Sequence, residues 1–151
     1  MTARNIRPAR RGDLEAMVRM LADDQLGATR ESLDALGPYL RAFEQIDADP
    51  NQLLAVTVSD DDVPVGMLQL TVIPGLARRG ALRGQIEAVR IRDDHRGRGL
   101  GAEMMLWAID ELRRRGCTLV QLTSDSSRQE AHRFYERLGF VASHTGFKLQ
   151  L

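Results

Sequence analysis

Residues 86–112 read IEAVRIRDDHRGRGLGAEMMLWAIDEL, and the meaning of this stretch decides the fold. IEAVRI reads as a strand, and Gly101, Met104, Met105, Ala108 and Leu112 recur at the spacing of one helix face. Between them stand Gly97, Gly99 and Gly101, at every second position, with Arg96 and Arg98 interleaved. Glycine costs about 1 kcal/mol in a helix relative to alanine, so three near a helix start need a reason. A bound anion supplies one: without Cβ atoms the main-chain N–H groups can turn toward one point, and the first helical turn adds open donors and a positive dipole end. Such a site suits a pyrophosphate. The plainer reading is a tight turn whose glycines only allow close packing of strand and helix, and a single G-x-G does not separate the two.

At 151 residues the chain suits one domain, taken here as 1–151. The apolar share of 43% and charged share of 28% are those of an ordinary globular protein. Lys plus Arg and Asp plus Glu both number 21, so no overall field favours nucleic acid or an anionic membrane. Cys117 is the single cysteine; it has no partner for a disulfide or for thiolate metal spacing, which fits a reducing compartment. MTARNIRPARR is basic but lacks the apolar run of a secretory signal, and no stretch reaches the ~18 apolar residues of a membrane span. The expectation is a cytoplasmic protein.

The rest of the chain reads as α+β around a central βαβ unit. Residues 5–7 form a short strand ended by Pro8, and Asp13 is placed to cap a helix running to about Asp24, with Leu14, Met17, Val18 and Leu21 on one face. A second helix starts at Pro38 and turns Leu40, Phe43 and Ile46 inward. Residues 53–58 and 63–73 form a hairpin about the polar turn 59–62. Residues 76–83 are an Arg- and Gly-rich loop, and 85–91 a strand. Gly116 ends the helix that follows the glycine turn. Residues 119–123 are a strand, 127–138 a helix carrying Ala131, Phe134, Tyr135 and Leu138 inward, and 140–149 the closing strand or strands. No repeat or linker interrupts the chain.

Two nucleotide-type ligands compete for the turn. Gly97, Gly99 and Ala102 satisfy G-x-G-x-x-G/A, and Asp125 stands near the end of the next strand, so a nicotinamide-dinucleotide oxidoreductase is a remote alternative. Its first glycine should follow the strand almost directly, whereas residues 92–96 intervene here. A P-loop fails because no Gly-Lys-Ser/Thr follows.

The second pattern is R-x-x-G-x-G, met by Arg96, Gly99 and Gly101 between strand and helix. With EAHRFYERLGF at 130–140, it resembles the GCN5-related N-acetyltransferases, their acetyl-CoA signature and their closing helix. The resemblance runs from the first helix to the end and is weakest between Leu26 and Pro50. It implies a mixed, mostly antiparallel sheet flanked by helices, split into a V between the IEAVRI and LVQLT strands, with acetyl-CoA in the cleft. Val89 and Ile91 would pair with the pantetheine amides through their backbone, and the pyrophosphate would rest on N–H groups of Arg96, Gly97, Arg98, Gly99, Leu100, Gly101 and Ala102, with the guanidinium of Arg96 or Arg98 outside.

The implied reaction is direct acetyl transfer to a primary amine. Such an amine, of pKa near about 10.4, must lose a proton before it attacks. Glu87, on the splayed strand where several family members carry a glutamate, is the implied general base, best suited if partly buried; the alternative is a solvated strand carboxylate. Tyr135 holds the family's position for the acid that meets the leaving thiolate, though its place in the helical stripe also suits a core ring. Many members carry asparagine where this chain has Arg128; Ser126, Ser127 or Arg128 would take over that cofactor contact, and Ser127 is included among the cofactor residues.

His95, His132 and His144 form no metal constellation, and no metal is expected. Cys117 lacks a partner base for a covalent acetyl-cysteine route. The closing residues resemble small-molecule members, including aminoalkylphosphonate-type enzymes, more than ribosomal-protein acetylases. Peptide acetylation and a noncatalytic acyl-CoA sensor are the alternatives. Arg78, Arg79 and Arg83 either greet an anionic acceptor or form a solvated loop, and a homodimer is left open.

Overall fold

The computed structural model describes residues 5–24 and 26–151; the opening MTAR of the basic N-terminal stretch lies outside them. Residues up to Gln121 form one compact unit and Leu122–Leu151 a second.

The first unit runs β1 (Ile6–Pro8), a 3-10 turn (Arg11–Asp13), α1 (Leu14–Ala22), α2 (Gly27–Arg30), α3 (Gly37–Ala48), β2 (Gln52–Val58), β3 (Pro64–Ile73), α4 (Ala77–Gly80), β4 (Leu82–Ile91), α5 (Leu100–Arg114) and β5 (Cys117–Gln121). The five strands form one sheet in the order β1-β2-β3-β4-β5. β1 through β4 pair antiparallel, and β4 pairs parallel with β5. That topology excludes the dinucleotide reading, which requires a doubly wound parallel sheet. β5 begins two residues before the expected position, because its parallel register sets Cys117 against Leu82.

Helices cover both faces. α5 buries Leu100, Met104, Met105, Ala108 and Leu112. It lies close because β3 and β4 offer glycines: a Cβ on Gly66 would come within 2.8 Å of Met104 Sδ, and one on Gly84 within 2.6 Å of Leu112 Cδ1. On the alternate side chains, Met17 and Met20 of α1 pack with Val56, Val58 and Met67. Methionine fills this irregular seam because its unbranched chain adapts its shape.

Asp13 stands at the start of α1 but makes no capping bond to it. Its carboxylate instead accepts the Arg10 N–H at 2.7 Å and a forked pair from Arg7 at 2.7 and 3.1 Å. Arg7 Nε also donates to Asp62 at 2.9 Å, tying β1 to the β2–β3 turn. Burial pulls the Asp13 carboxyl upward, but the bonds from Arg7 and Arg10 outweigh it and hold its pKa below the ordinary value.

The second unit contains α6 (Gln129–Arg137), ended by Gly139 at φ +95°. Tyr135 packs between Phe134 (centroids 5.3 Å apart) and Phe140 (6.1 Å, edge-on). The closing strand expected over 140–149 is not formed: these residues hold no regular structure, and their backbone makes local turns such as Ser143 N–H to the Val141 carbonyl. A strand pattern becomes a strand only against a partner edge.

Candidate active site

β4 is paired on both edges for only part of its length. Its contact with β5 covers Leu82–Gln85 and stops at Gln85↔Gln121, while on the other edge β3 follows it to Ile91. Between those regions the β3 register jumps, with Gln69 opposite Glu87 but Met67 opposite Arg90, and Ala88 adopts φ +54°. An extra residue in left-handed geometry is a β-bulge; it bends and twists the strand, which opens the parallel pair into a V. Arg92 N–H donates to Val65 on β3 at 2.8 Å, so alternation turns the main-chain groups of Ile91 and Val89 to the open edge. Arginines reach the carbonyls there: Arg90 Nη1 donates to Val89 at 2.8 Å and Arg96 Nε to Ile91 at 3.0 Å.

At the end of β4 a 3-10 turn (Asp93–His95) leads into the glycines. Gly97 and Gly99 have φ of +76° and +78°, and a Cβ on either would meet nothing within 4 Å. Their role is therefore conformational, and the packing-only reading fails for both. Gly99 precedes α5, whose ladder first closes with Glu103 N–H on the Gly99 carbonyl at 3.1 Å. The N–H groups of Leu100, Gly101 and Ala102 thus have no intrahelical acceptor, and the buried Leu100 side chain anchors them. Open N–H groups at a helix start are chemically suited to an anion.

Arg96 and Arg98 divide their tasks. Arg96 is turned back on the protein, its Nη2 lying 3.3 Å from Asp23 at the end of α1. The neighbouring Asp24 faces Arg90 Nε at 3.3 Å, so two ion pairs join α1 to the open end of β4. Arg98 is exposed and lines a recess of about 210 Å³ with His95, Leu100 and Glu103.

Glu87 is exposed rather than partly buried. It shares its sheet face with a polar row in register across four strands: Gln52, Thr71, Gln85 and Gln121. Thr71 and Gln69 donate to Gln52, and Gln121 donates to Gln85 at 3.0 Å. Arg83 Nη1 reaches Gln121 at 3.4 Å, which ties it to this row, while Arg78 and Arg79 lie exposed with positive φ.

Tyr135 and Ser127 belong to the second unit. Tyr135 is half-buried, and Ser127 Oγ donates to Asp125 at 2.6 Å, leaving its lone pairs as acceptors. His132 Nε2 lies 2.8 Å from the Asp125 carbonyl. Cys117, at the first position of β5, is buried, and burial pushes its thiol up, away from the thiolate a covalent route needs. Among the described residues no helix is long and apolar enough to cross a membrane.

The bulge, the Arg carbonyl contacts and the backward turn of Arg96 escaped sequence reasoning. Only the positive φ of Ala88 marks the bulge, and alanine carries no signature of it.

A mixed sheet whose parallel pair β4 and β5 parts partway along, with β4 leading through a glycine turn into a helix, is an acyltransferase type of fold. Residues 15–140 match the model of the acetyltransferase (GNAT) family, and the chain belongs to that family. It is 32% identical over 99 residues to the aminoalkylphosphonate N-acetyltransferase of Salmonella typhimurium, a match covering 66% of this chain and 63% of that protein. It therefore spans less than two thirds of that curated relative. The crystal structure of a transcriptional regulator from Bacillus halodurans C-125 is similar with a TM-score of 0.93 and 47% identity, covering 97% of this chain and 98% of that one. Glucosamine-6-phosphate N-acetyltransferase from Arabidopsis thaliana shares the fold, with a TM-score of 0.78, 18% identity and 96% coverage of both chains.

Proposed function

We propose that residues 1–151 act as one catalytic domain, a cytoplasmic N-acetyltransferase that moves the acetyl group of acetyl-CoA to the primary amine of a small polar molecule. The observation that carries this reading is the open edge of β4 ending in the cradle of Gly97 to Ala102. Pantetheine is a chain of amides and suits an unpaired strand edge; a pyrophosphate suits the N–H groups at the start of α5. The cradle residues assigned are Arg96, Gly97, Arg98, Gly99, Leu100, Gly101 and Ala102, with Val89 and Ile91 on the edge; Ser127 is assigned a cofactor contact as well.

In the proposed reaction Glu87 takes a proton from the ammonium, directly or through water, and the freed lone pair attacks the thioester carbonyl. The tetrahedral intermediate gives up the second nitrogen proton to water and collapses, the C–S bond breaks, and the sulfur leaves with the bonding pair. Tyr135 gives that sulfur a proton and is reprotonated from solvent, while the amide product keeps the acetyl group. No metal enters this route. The polar row beside Glu87 supports a small acceptor bearing hydroxyl or other hydrogen-bonding groups, and the curated relative's aminoalkylphosphonate points to the same size class.

A second reading is favoured by the 47% identity to a protein described as a transcriptional regulator: an acyl-CoA sensor that binds without transfer. One assay separates them. CoA thiol release is followed with acetyl-CoA against a panel of small primary amines and N-terminal peptides. Release with small amines supports the enzyme; release with peptides alone moves the acceptor class to peptides. Tight CoA binding with no release above hydrolysis supports the sensor.

A further inference from the structure

Five arginines among the described residues are half-buried: Arg7, Arg83, Arg90, Arg92 and Arg115. Four of them face a carboxylate, Arg7 pairing with Asp13, Arg90 with Asp24, Arg92 with Asp94 and Arg115 with Glu111. Arg83 is the exception. Among the described residues its guanidinium has one polar contact, Nη1 to the neutral side-chain amide of Gln121 at 3.4 Å. A cation partly withdrawn from water without a counter-ion is costly, so this position calls for an anion from outside the chain.

Arg83 shares a face of β4 with Gln85 and Glu87, opposite the face where Gly84 meets Leu112 of α5. Hydrogen bonding decides which way the amides on this face point. A guanidinium only donates, so Gln121 turns its oxygen to Arg83, and its NH2 group donates to Gln85 Oε1 at 3.0 Å. The NH2 group of Gln85 then has no acceptor among the described residues. Arg83 and Gln85 therefore present N–H donors together at the point where β4 and β5 part, since the pairing of these strands ends at Gln85↔Gln121. Such a donor set suits an oxyanion. Glu87 stands two positions beyond Gln85, about 7 Å along the strand.

We propose that Arg83, with Gln85, binds an oxyanion carried by the acceptor, a carboxylate or a phosphate, and so holds the acceptor's amine beside Glu87. Calling this ligand the acceptor rests on the acetyl-transfer reading. The substrate class is then an amine whose anionic group stands about 7 Å or more from its nitrogen, a span that α-amino acids are too short to cover. Arg78 and Arg79, exposed in the segment before β4, take no part in it.

The test compares 6-aminohexanoate, 6-aminohexyl phosphate and the neutral 6-aminohexanamide, by calorimetry in the presence of CoA and by thiol release from acetyl-CoA. At least one of the anionic amines should bind about tenfold more tightly than the amide, the scale of a charge-assisted hydrogen bond, and whichever gains more identifies the oxyanion. Arg83→Gln should abolish that preference and leave the Kd for the amide within about twofold, while Arg83→Lys keeps part of it. Equal binding of anionic and neutral amines by the parent, or no binding of either anionic amine, overturns the proposal. So does an Arg83→Gln variant that keeps the preference or weakens all three amines alike, the behaviour of a plain tie between β4 and β5. The two readings fail separately: anion-selective binding without thiol release removes acetyl transfer and keeps the oxyanion site, whereas release without anion preference does the reverse.

Discussion

Arg96 Nε donates to the main-chain carbonyl of Ile91 across 3.0 Å, so the arginine that opens the glycine turn is fastened to the last residue of β4. Its Nη2 lies 3.3 Å from Asp23, which links the same guanidinium to α1. The side chain thereby ties the start of the glycine turn to the strand end and to α1. Arg96→Leu should raise the KM for acetyl-CoA about tenfold, the scale of a lost charge-assisted bond, and leave kcat within about twofold. Arg96→Lys should restore little, since an ammonium cannot span both acceptors. Steady-state kinetics with varied acetyl-CoA checks both variants.

Gly99 sits at φ +78° in open space. Gly99→Val is strained by its backbone, not by collision, and should weaken CoA binding by roughly tenfold or more. Gly99→Asn, which tolerates left-handed geometry, should stay nearer the parent. Calorimetry that ranks asparagine with valine would show that the site tolerates no side chain there for some other reason.

Replacing the proposed base gives a signature in pH. Glu87→Gln should lower kcat/KM most near neutrality and least above about pH 10, where the amine sheds its proton unaided. A pH profile parallel to that of the parent would remove Glu87 from the base role.

Tyr135→Phe keeps the ring that packs on Phe134 and Phe140 and deletes only the hydroxyl. Loss of a general acid should lower kcat by ~10² to 10⁴-fold, with Tm and the CoA Kd nearly unchanged. Full activity in a stable variant would leave Tyr135 as a packing residue.

Asp13 couples stability to acid. Its folded pKa lies below the ordinary 3.8, so the clasp with Arg7 contributes in full above that value and is lost as pH falls through the folded pKa. Urea unfolding of the parent should show stability falling as pH drops below about 4. Asp13→Asn should cost about 2 kcal/mol at pH 7 and flatten that fall. An unchanged slope would assign the acid sensitivity to other carboxylates.

Much of this arrangement was legible in the sequence because it is local. The strand, glycine turn and helix of residues 86–112 announce themselves through periodicity and through glycines where left-handed backbone is needed. The stripe of α1 and the hairpin about residues 59–62 are equally local. What escaped depends on partners distant in the chain. Asp13 looked like a helix cap, yet Arg7 across the turn holds its carboxylate. Nothing local announces that the Arg96 guanidinium reaches Ile91 and Asp23. Residues 140–149 carry a strand pattern that names no partner. The bulge follows from the register of β3 against β4, and nothing about Ala88 itself foretells it.

The open stretch of β4 also bears on the protein's keeping in solution. A strand edge without a paired strand, even one whose carbonyls are held by arginine side chains, is a template for extended peptides, including another unfolded copy, so the empty form is exposed to stray pairing. The donor molecule, lying along that edge, would act as its own protectant: at a hundredfold excess over Kd it adds about 2.7 kcal/mol to the folded state. The same contacts that place the thioester for transfer would then lengthen the shelf life of the protein, and the supply of donor would govern how much of it stays intact as well as how fast it works.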